Sequence, residues 1–367
     1  MPRLRRADPS RPGLARRRQG RGFSYRDEHG RSLRDAEVIE RIRALGIPPA
    51  WREVWICSDP FGHLQATGID AAGRKQYRYH DRWRERRDRR KFDDMLDFAA
   101  ALPRVRRRVK RELRGTEPTR ERVLAGAVRL LDLGFFRIGS DHSEPAQARD
   151  SFGLTTMLRE HARIEHGQII FEYVGKSGQH RVHAIADDDL LALVAQLKRR
   201  RGGPPELLAY REGRRWSGVG ADTVNLHLKG LTGGGFSAKD FRTWNATVLA
   251  SVALAGEGVE PLRSRTATKR AISRSVKTVA AYLGNTPAVA RSSYIDPRVF
   301  DRYTSGWTIA ETISRLGGDP ALGDERVRRR IETAVLDMLT EAGVAAGLRR
   351  VGEPAPRRRP GALVATT

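Results

Sequence analysis

The stretch Gly284-Asn285-Thr286-Pro287-Ala288-Val289-Ala290-Arg291-Ser292-Ser293-Tyr294-Ile295-Asp296-Pro297 is a run of helix stops and starts. Gly284 ends the helix before it. Thr286 or Asn285 can cap the next helix, and Pro287 suits a first turn, where no backbone N–H is needed. Asp296-Pro297 stops that short helix and opens another. Tyr294 therefore lies near the end of a short helix bounded by breakers. Taken alone, a tyrosine there is an ordinary half-buried packing residue.

Working outward, the chain is mainly helical from about residue 118. Val123, Ala127, Leu130 and Leu131 recur at helical spacing, with Gly134 as a stop. Leu190, Val194 and Leu197 do the same behind Asp187–Asp189, which can cap. Ser237 and Asp240 have capping-box spacing, and Phe236 and Phe241 stand at staple positions. Phe241, Trp244, Val248 and Val252 then make one apolar stripe, and Val327, Ile331, Val335, Met338 and Leu339 mark a last helix. One β element interrupts: Gln168 to Val174, a Gly175-Lys176-Ser177-Gly178 turn, and Gln179 to Ile185 read as a hairpin with Lys176 at its tip.

Residues 36–100 carry short strand patterns between turn signals. In Gly73-Arg74-Lys75-Gln76-Tyr77-Arg78-Tyr79, alternation puts Lys75, Tyr77 and Tyr79 on one face and Arg74, Gln76 and Arg78 on the other. Such a strand suits bases and phosphates, or is an ordinary exposed strand. The expected fold class is α+β: a small β-rich amino-terminal domain over 36–100 and a larger, mainly α domain with a hairpin over 101–350. Residues 1–35 read as a basic disordered arm, with 11 Arg among the first 34. Residues 81–114 read as an Arg-dense hinge, and 351–367 as a disordered tail.

The 367 residues carry 69 basic and 44 acidic side chains, a formal charge of +25, with 60 Arg against 9 Lys. This predicts a polyanionic partner, nucleic acid before an anionic membrane surface. The single Cys57 excludes a disulfide framework and a cysteine-based zinc module. No run approaches the ~18 apolar residues of a membrane span. The Arg-studded start lacks a secretory signal, and Asp8, Asp27 and Glu28 disfavour a transit peptide, so a soluble intracellular protein is expected. A phosphate-binding loop ending at Gly175-Lys176-Ser177 would need glycine where Ile170 stands, which leaves ATP use unsupported. Gly218 and Gly220 begin a dinucleotide fingerprint that Thr223 breaks. His180 and His183 lie on opposite faces of their strand, and no carboxylate cluster reads as a Mg²⁺ site, so neither metal nor cofactor is expected.

The tyrosine segment resembles that of type IB DNA topoisomerases, particularly the compact poxvirus-like enzymes found in bacteria. In that family a His or Asn followed by Thr-Pro precedes the nucleophile by nine residues, the spacing of Asn285 and Tyr294. Phe135-Phe136-Arg137-Ile138-Gly139 resembles the segment of its first catalytic arginine. Val174-Gly175-Lys176 is similar to its lysine hairpin, and Lys239-Asp240-Phe241-Arg242-Thr243-Trp244 to the segment of its second arginine. Gly73 to Tyr79 is similar to its DNA-contacting strand. The five catalytic positions occur in order, and the likeness spans roughly residues 40–350. Asn285 departs from the His of viral and nuclear members, but Asn can also donate to a phosphate oxygen. The long basic arm is not part of the family pattern.

The resemblance implies catalytic Tyr294, Arg137, Lys176, Arg242 and Asn285, with DNA contacts from Arg74, Lys75, Gln76, Tyr77, Arg78 and Tyr79. The chemistry fits. Tyrosine attack on a phosphodiester builds negative charge, which guanidinium forks and a neutral amide donor can stabilise. Lys176 can protonate the leaving 5′ oxygen. The covalent 3′-phosphotyrosine keeps the diester energy, so neither ATP nor metal is needed. The expectation is an enzyme that encircles duplex DNA, preferably supercoiled, as a C-shaped clamp, relaxing supercoils of either sign. It would be a monomer in the cytoplasm, associated with the nucleoid. The rivals are a tyrosine recombinase, which usually has a helical first domain, and a non-enzymatic architectural DNA-binding protein.

Overall fold

A computed structural model describes residues 3–139, 149–258, 264–318 and 323–340. The chain divides into two compact units, Met1–Asp93 and Asp94–Thr367.

The first unit is built on one antiparallel sheet. Its elements are β1 (Leu14–Gln19), β2 (Gly22–Arg26), α1 (Ala36–Ala44), β3 (Arg52–Ile56), β4 (Leu64–Ile69) and β5 (Lys75–Tyr79), with strand order β2-β1-β3-β4-β5. The Asp35 carboxylate caps α1 by accepting the backbone N–H groups of Glu37 and Val38. That start lets α1 lay Ile42 on a core of Leu14, Val54, Ile56 and Ala66. The expected disordered arm over residues 1–35 is corrected here, because β1 and β2 belong to this sheet. Their signal was hidden by charge: only Leu14 of β1 is buried, while Arg16, Arg17 and Arg18 fill the rest. Arg16 is itself part of the fold. It lies 4.1 Å from the Phe23 ring centroid and donates to the carbonyls of Ile47, Pro48 and Trp51.

The expected hinge over 81–114 is also corrected. It is one long helix, α2 (Asp81–Leu113). Phe92, Met95, Phe98, Leu102, Val105, Val109 and Leu113 are buried at three- and four-residue spacing among the arginines. The two units part inside α2, at Asp93/Asp94, rather than at the expected 100/101.

The second unit continues with α3 (Arg120–Gly134), β6 (Ala162–Glu165), β7 (Gln168–Gly175), β8 (Gln179–Ile185), α4 (Asp188–Arg199), β9 (Ala209–Glu212) and β10 (Arg215–Gly218). Then follow α5 (Ala221–Thr232), α6 (Ala238–Gly256), α7 (Arg265–Leu283), α8 (Pro287–Ser293), α9 (Pro297–Thr304), α10 (Ala310–Arg315) and α11 (Glu325–Thr340). Strands β6, β7 and β8 form a three-stranded antiparallel sheet, so the expected hairpin is present with a third strand beside it. The capping reading of α6 holds: the Asp240 carboxylate accepts the Ser237 backbone N–H at 2.7 Å. Phe236 and Phe241 both pack on Phe98 of α2, with ring centroids 5.4 and 4.9 Å away. Gly134 ends α3 as expected, but the left-handed turn falls on Phe135, at φ 55°. The glycine is needed for packing instead, since a Cβ there would meet the Phe136 ring at 2.1 Å.

A buried ion network joins α2, α3 and α11. Arg106 makes paired hydrogen bonds to Asp132 at 3.0 and 2.8 Å and to Glu332 at 2.5 and 2.8 Å. Arg328 donates to Asp132 at 2.8 Å and to Glu332 at 3.0 Å, and Arg129 reaches Asp132 at 3.2 Å. Burial alone would raise the Asp132 carboxyl, but Arg106 and Arg328 hold it far below the usual carboxylate range. Removing the acid leaves several guanidinium groups without their counter-charge. Asp132→Ala is therefore expected to cost about 3–5 kcal/mol of stability in urea unfolding. A loss near zero would show that the network contributes nothing.

His183 of β8 packs against Phe136, with centroids 4.8 Å apart, and Phe136 meets Phe171 edge-on at 5.2 Å. Burial, aided by Arg181 and Arg242, lowers the imidazole from 6.5 to about 4. A depressed folded-state value means that the unfolded chain takes up the proton first. The stability His183 contributes is thus complete above about 6.5 and is lost as pH falls toward about 4. In thermal scans across that window His183→Phe should lose less stability than wild type, and parallel curves would contradict this.

Candidate active site

The end of α3 aims the first candidate residue. After the left-handed turn at Phe135 and the buried Phe136, the Arg137 carbonyl accepts the Leu154 N–H at 2.8 Å. Segments 137–139 and 153–155 lie so close that a Cβ on Gly153 would meet the Gly139 nitrogen at 2.5 Å. Held this way, the Arg137 guanidinium donates to the Gly284 carbonyl at 3.1 Å and to the Asn285 side-chain oxygen.

Arg242 is buried in the first turns of α6. It donates to the Phe135 carbonyl and, at 2.9 Å, to the Leu283 carbonyl. Its guanidinium carbon lies 5.2 Å from the Tyr294 ring centroid. Burial pulls its pKa down to about 10, an effect the Tyr294 side chain opposes, so the group stays cationic near neutral pH. Among the described residues its Nε has no hydrogen-bond partner, and neither has the buried Asn285 Nδ2. Two donors in one place are thus left unsatisfied, although buried donors are normally paired.

The Asn285–Tyr294 segment takes the predicted form. Gly284 is left-handed at φ 60° and closes α7. Of the two possible caps, Thr286 is the one used: its hydroxyl accepts the Val289 N–H, with Pro287 at the first turn of α8. Asp296 then caps α9 by accepting the Arg298 N–H at 2.9 Å. Thr247, one turn and a half after Arg242, fastens this bend to α6. Its hydroxyl accepts the Asp296 N–H at 3.2 Å and, with its own proton directed to the Thr243 carbonyl at 2.9 Å, lies 3.4 Å from the Tyr294 carbonyl.

Lys176 follows β7 at the tip of the hairpin and is exposed. Ser177 and Gly178 turn there with φ of 66° and 70°. A small cavity of about 10 Å³ is lined by Arg137, Lys176, Arg181 and Arg242 together with Gly175 and Gly284. The fold thus gathers the two arginines, the lysine and the start of the asparagine loop around one recess, with Tyr294 beside Arg242. Guanidinium and ammonium groups gathered in this way suit an anion, and a phenol lies at the edge of the set.

Some neighbours were not found in the sequence. Arg181 lies on β8, and its only sequence signal is its place in the hairpin's alternation. Thr247 looked like one more residue of a buried helix. Tyr173, whose phenol burial pushes up against the pull of Arg181, Arg242 and Arg137, was read only as part of a strand.

The expected DNA-contacting strand lies in the first unit. Arg74 pairs with Asp70 at 3.0 Å, and Gln76 donates to the same carboxylate at 2.8 Å. On the other face of β5, Tyr77 is exposed and its ring is stacked 6.2 Å from that of Tyr79. Arg87 sits 5.5 Å from the Tyr79 ring. Lys75 and Arg78 lie on the same strand, which pairs with β4 at the edge of the sheet.

Comparison with known proteins identifies the family. Residues 80–312 match the family described as eukaryotic DNA topoisomerase I, catalytic core, and residues 22–70 match bacterial DNA topoisomerase IB, N-terminal domain. A DNA topoisomerase 1B of Acanthamoeba polyphaga mimivirus is 29% identical over 289 residues, which cover 77% of this chain and 85% of that protein. A DNA topoisomerase 1 of Rabbit fibroma virus is 23% identical over 317 residues, covering 82% and 95%. With the catalytic-core match running through the arginine, lysine and tyrosine segments, the chain belongs to the DNA topoisomerase I family, type IB.

Proposed function

We propose that Tyr294 is the nucleophile of this type IB topoisomerase and that Arg137, Lys176, Arg242 and Asn285 complete its active site. The Tyr294 phenol gives its proton to water as its oxygen attacks the scissile phosphorus, a P–O bond to Tyr294 forms, and the P–O5′ bond breaks. Lys176 gives a proton to the departing 5′ oxygen. The strand is then held as a 3′-phosphotyrosine, the duplex swivels, and the 5′-hydroxyl attacks in reverse. Arg137 and Arg242 offer guanidinium forks to the phosphoryl oxygens, and the Asn285 Nδ2, without a partner among the described residues, offers a neutral donor. The observation that carries the reading is Arg242, which touches both the Tyr294 ring and the carbonyl end of α7.

The diester energy stays in the phosphotyrosine, so the proposed cycle calls on neither ATP nor a metal ion. The partner is duplex DNA. A preference for supercoiled duplex, action as a monomer, a C-shaped clamp and a place on the nucleoid in the cytoplasm belong to the same proposal. On β5, Tyr77, Tyr79 and Lys75 are proposed to meet the groove, and Arg78 a phosphate, while Arg74 and Gln76 would exchange their bonds to Asp70 for DNA. Most affinity would come from phosphate contacts and fall steeply with salt.

Supercoiled plasmid incubated with the protein in EDTA and without ATP should relax stepwise. Tyr294→Phe should bind DNA and leave it supercoiled, and relaxation equal to wild type would remove Tyr294 from its role. Lys176→Ala should cleave on the order of 10²–10⁴-fold more slowly. Most of that rate should return when the 5′ oxygen is replaced by sulfur, which leaves without a proton.

A further inference from the structure

Arg181 crosses between two parts of the site. It sits on β8, paired across the ladder with Tyr173, two residues beyond the turn that carries Lys176. Its guanidinium leaves the hairpin and donates to the carbonyls of Ala281, at 3.1 Å, and Tyr282, at the end of α7. Those carbonyls lie three and two residues before Gly284, in the turn that leads to Asn285.

The two glycines beside this side chain make the fit specific. Gly175, just before Lys176, has φ −92° and ψ −177°, a conformation open to any residue. What crowds a side chain there is Arg181, whose Cγ would lie 3.1 Å from an added Cβ, so the stem would have to give by a few tenths of an ångström. Gly284, just before Asn285, needs its positive φ, and an added Cβ would also meet Arg181 Nη1 at 2.6 Å. One arginine is thus wedged between the residue preceding the proposed acid and the residue preceding the proposed amide donor. It reaches the site through backbone contacts and lines the same recess as Arg137, Lys176 and Arg242.

We infer that Arg181 is a positioning residue that sets the Lys176 turn in register with the Asn285–Tyr294 segment, so that the acid meets the leaving oxygen on the phosphate that the other groups hold. This rests on the reading of Lys176 as the acid. Losing the fork frees the hairpin from α7 while leaving the nucleophile's own support, Thr247 and Arg242, in place. The defect therefore falls on proton delivery more than on attack.

The test is single-turnover cleavage of a duplex whose scissile 5′ position carries oxygen or sulfur, with Lys176→Ala run alongside. Arg181→Ala is expected to slow the oxygen substrate about a hundredfold, the scale of an ångström-sized misplacement, and the sulfur substrate far less. Arg181→Lys, a point charge in place of a fork spanning two carbonyls, should recover only part of the rate. Gly175→Ala keeps every charge and only displaces the Arg181 stem, and it should show the same oxygen-selective loss even if Arg181→Ala folds poorly. Equal slowing on both substrates, or none, would overturn the inference if Lys176→Ala remains oxygen-selective. If Lys176→Ala itself shows no selectivity, the acid assignment falls and the inference with it.

Discussion

The last turn of α7 has carbonyls that the helix itself does not fully satisfy, as every helix end has. Here they are taken by arginines from three other places in the chain. Arg181 binds Ala281 and Tyr282, Arg242 binds Leu283, and Arg137 binds Gly284. The partial negative charge of a helix C-terminus favours cations, and each guanidinium fork fits planar oxygen acceptors. This junction draws the hairpin, the start of α6 and the segment after α3 onto the chain that leads to Asn285 and Tyr294. The positions of the proposed catalytic groups depend on it.

Around the junction the supports are mostly backbone. Thr247 pins the bend between α8 and α9, Thr286 and Asp296 cap the two short helices, and glycines at 139, 153, 175 and 284 allow close approach. A site held this way can carry several positive charges without collapsing onto an acid. The carbonyls occupy the arginines with partial charge, which a phosphodiester can rival.

Much of this was legible in the sequence, since helix stops, caps and hairpin turns are local signals. The Gly284–Pro297 stretch, the capping of α6 by Asp240 and the hairpin around Lys176 depend on neighbours a few residues away. Arginine density suggests solvent exposure over residues 1–35 and 81–114, and the fold departs from that reading in both segments. In β1 and α2 the same residues flank a sparse apolar pattern, and several arginines serve the fold. Arg16 binds three carbonyls, Arg122 reaches Leu113 and Thr116, and Arg200 reaches Leu197, Pro204 and Leu207. The +25 charge is therefore less uniformly a DNA-binding surface than composition suggests. Arg181 could not be picked from 60 arginines, because its meaning lies in a contact with a residue 100 positions away.

The central claim is that one tyrosine carries the DNA strand. The most direct measurement is to trap the protein on an oligonucleotide whose short fragment downstream of the cleavage site, bearing the new 5′-hydroxyl, diffuses away, digest the complex, and map the DNA-bearing peptide by mass spectrometry. The account predicts a single adduct on Tyr294, joined to the 3′ phosphate, with a free 5′-hydroxyl on the released fragment. An adduct on another residue, or attachment through a 5′ phosphate, would contradict it.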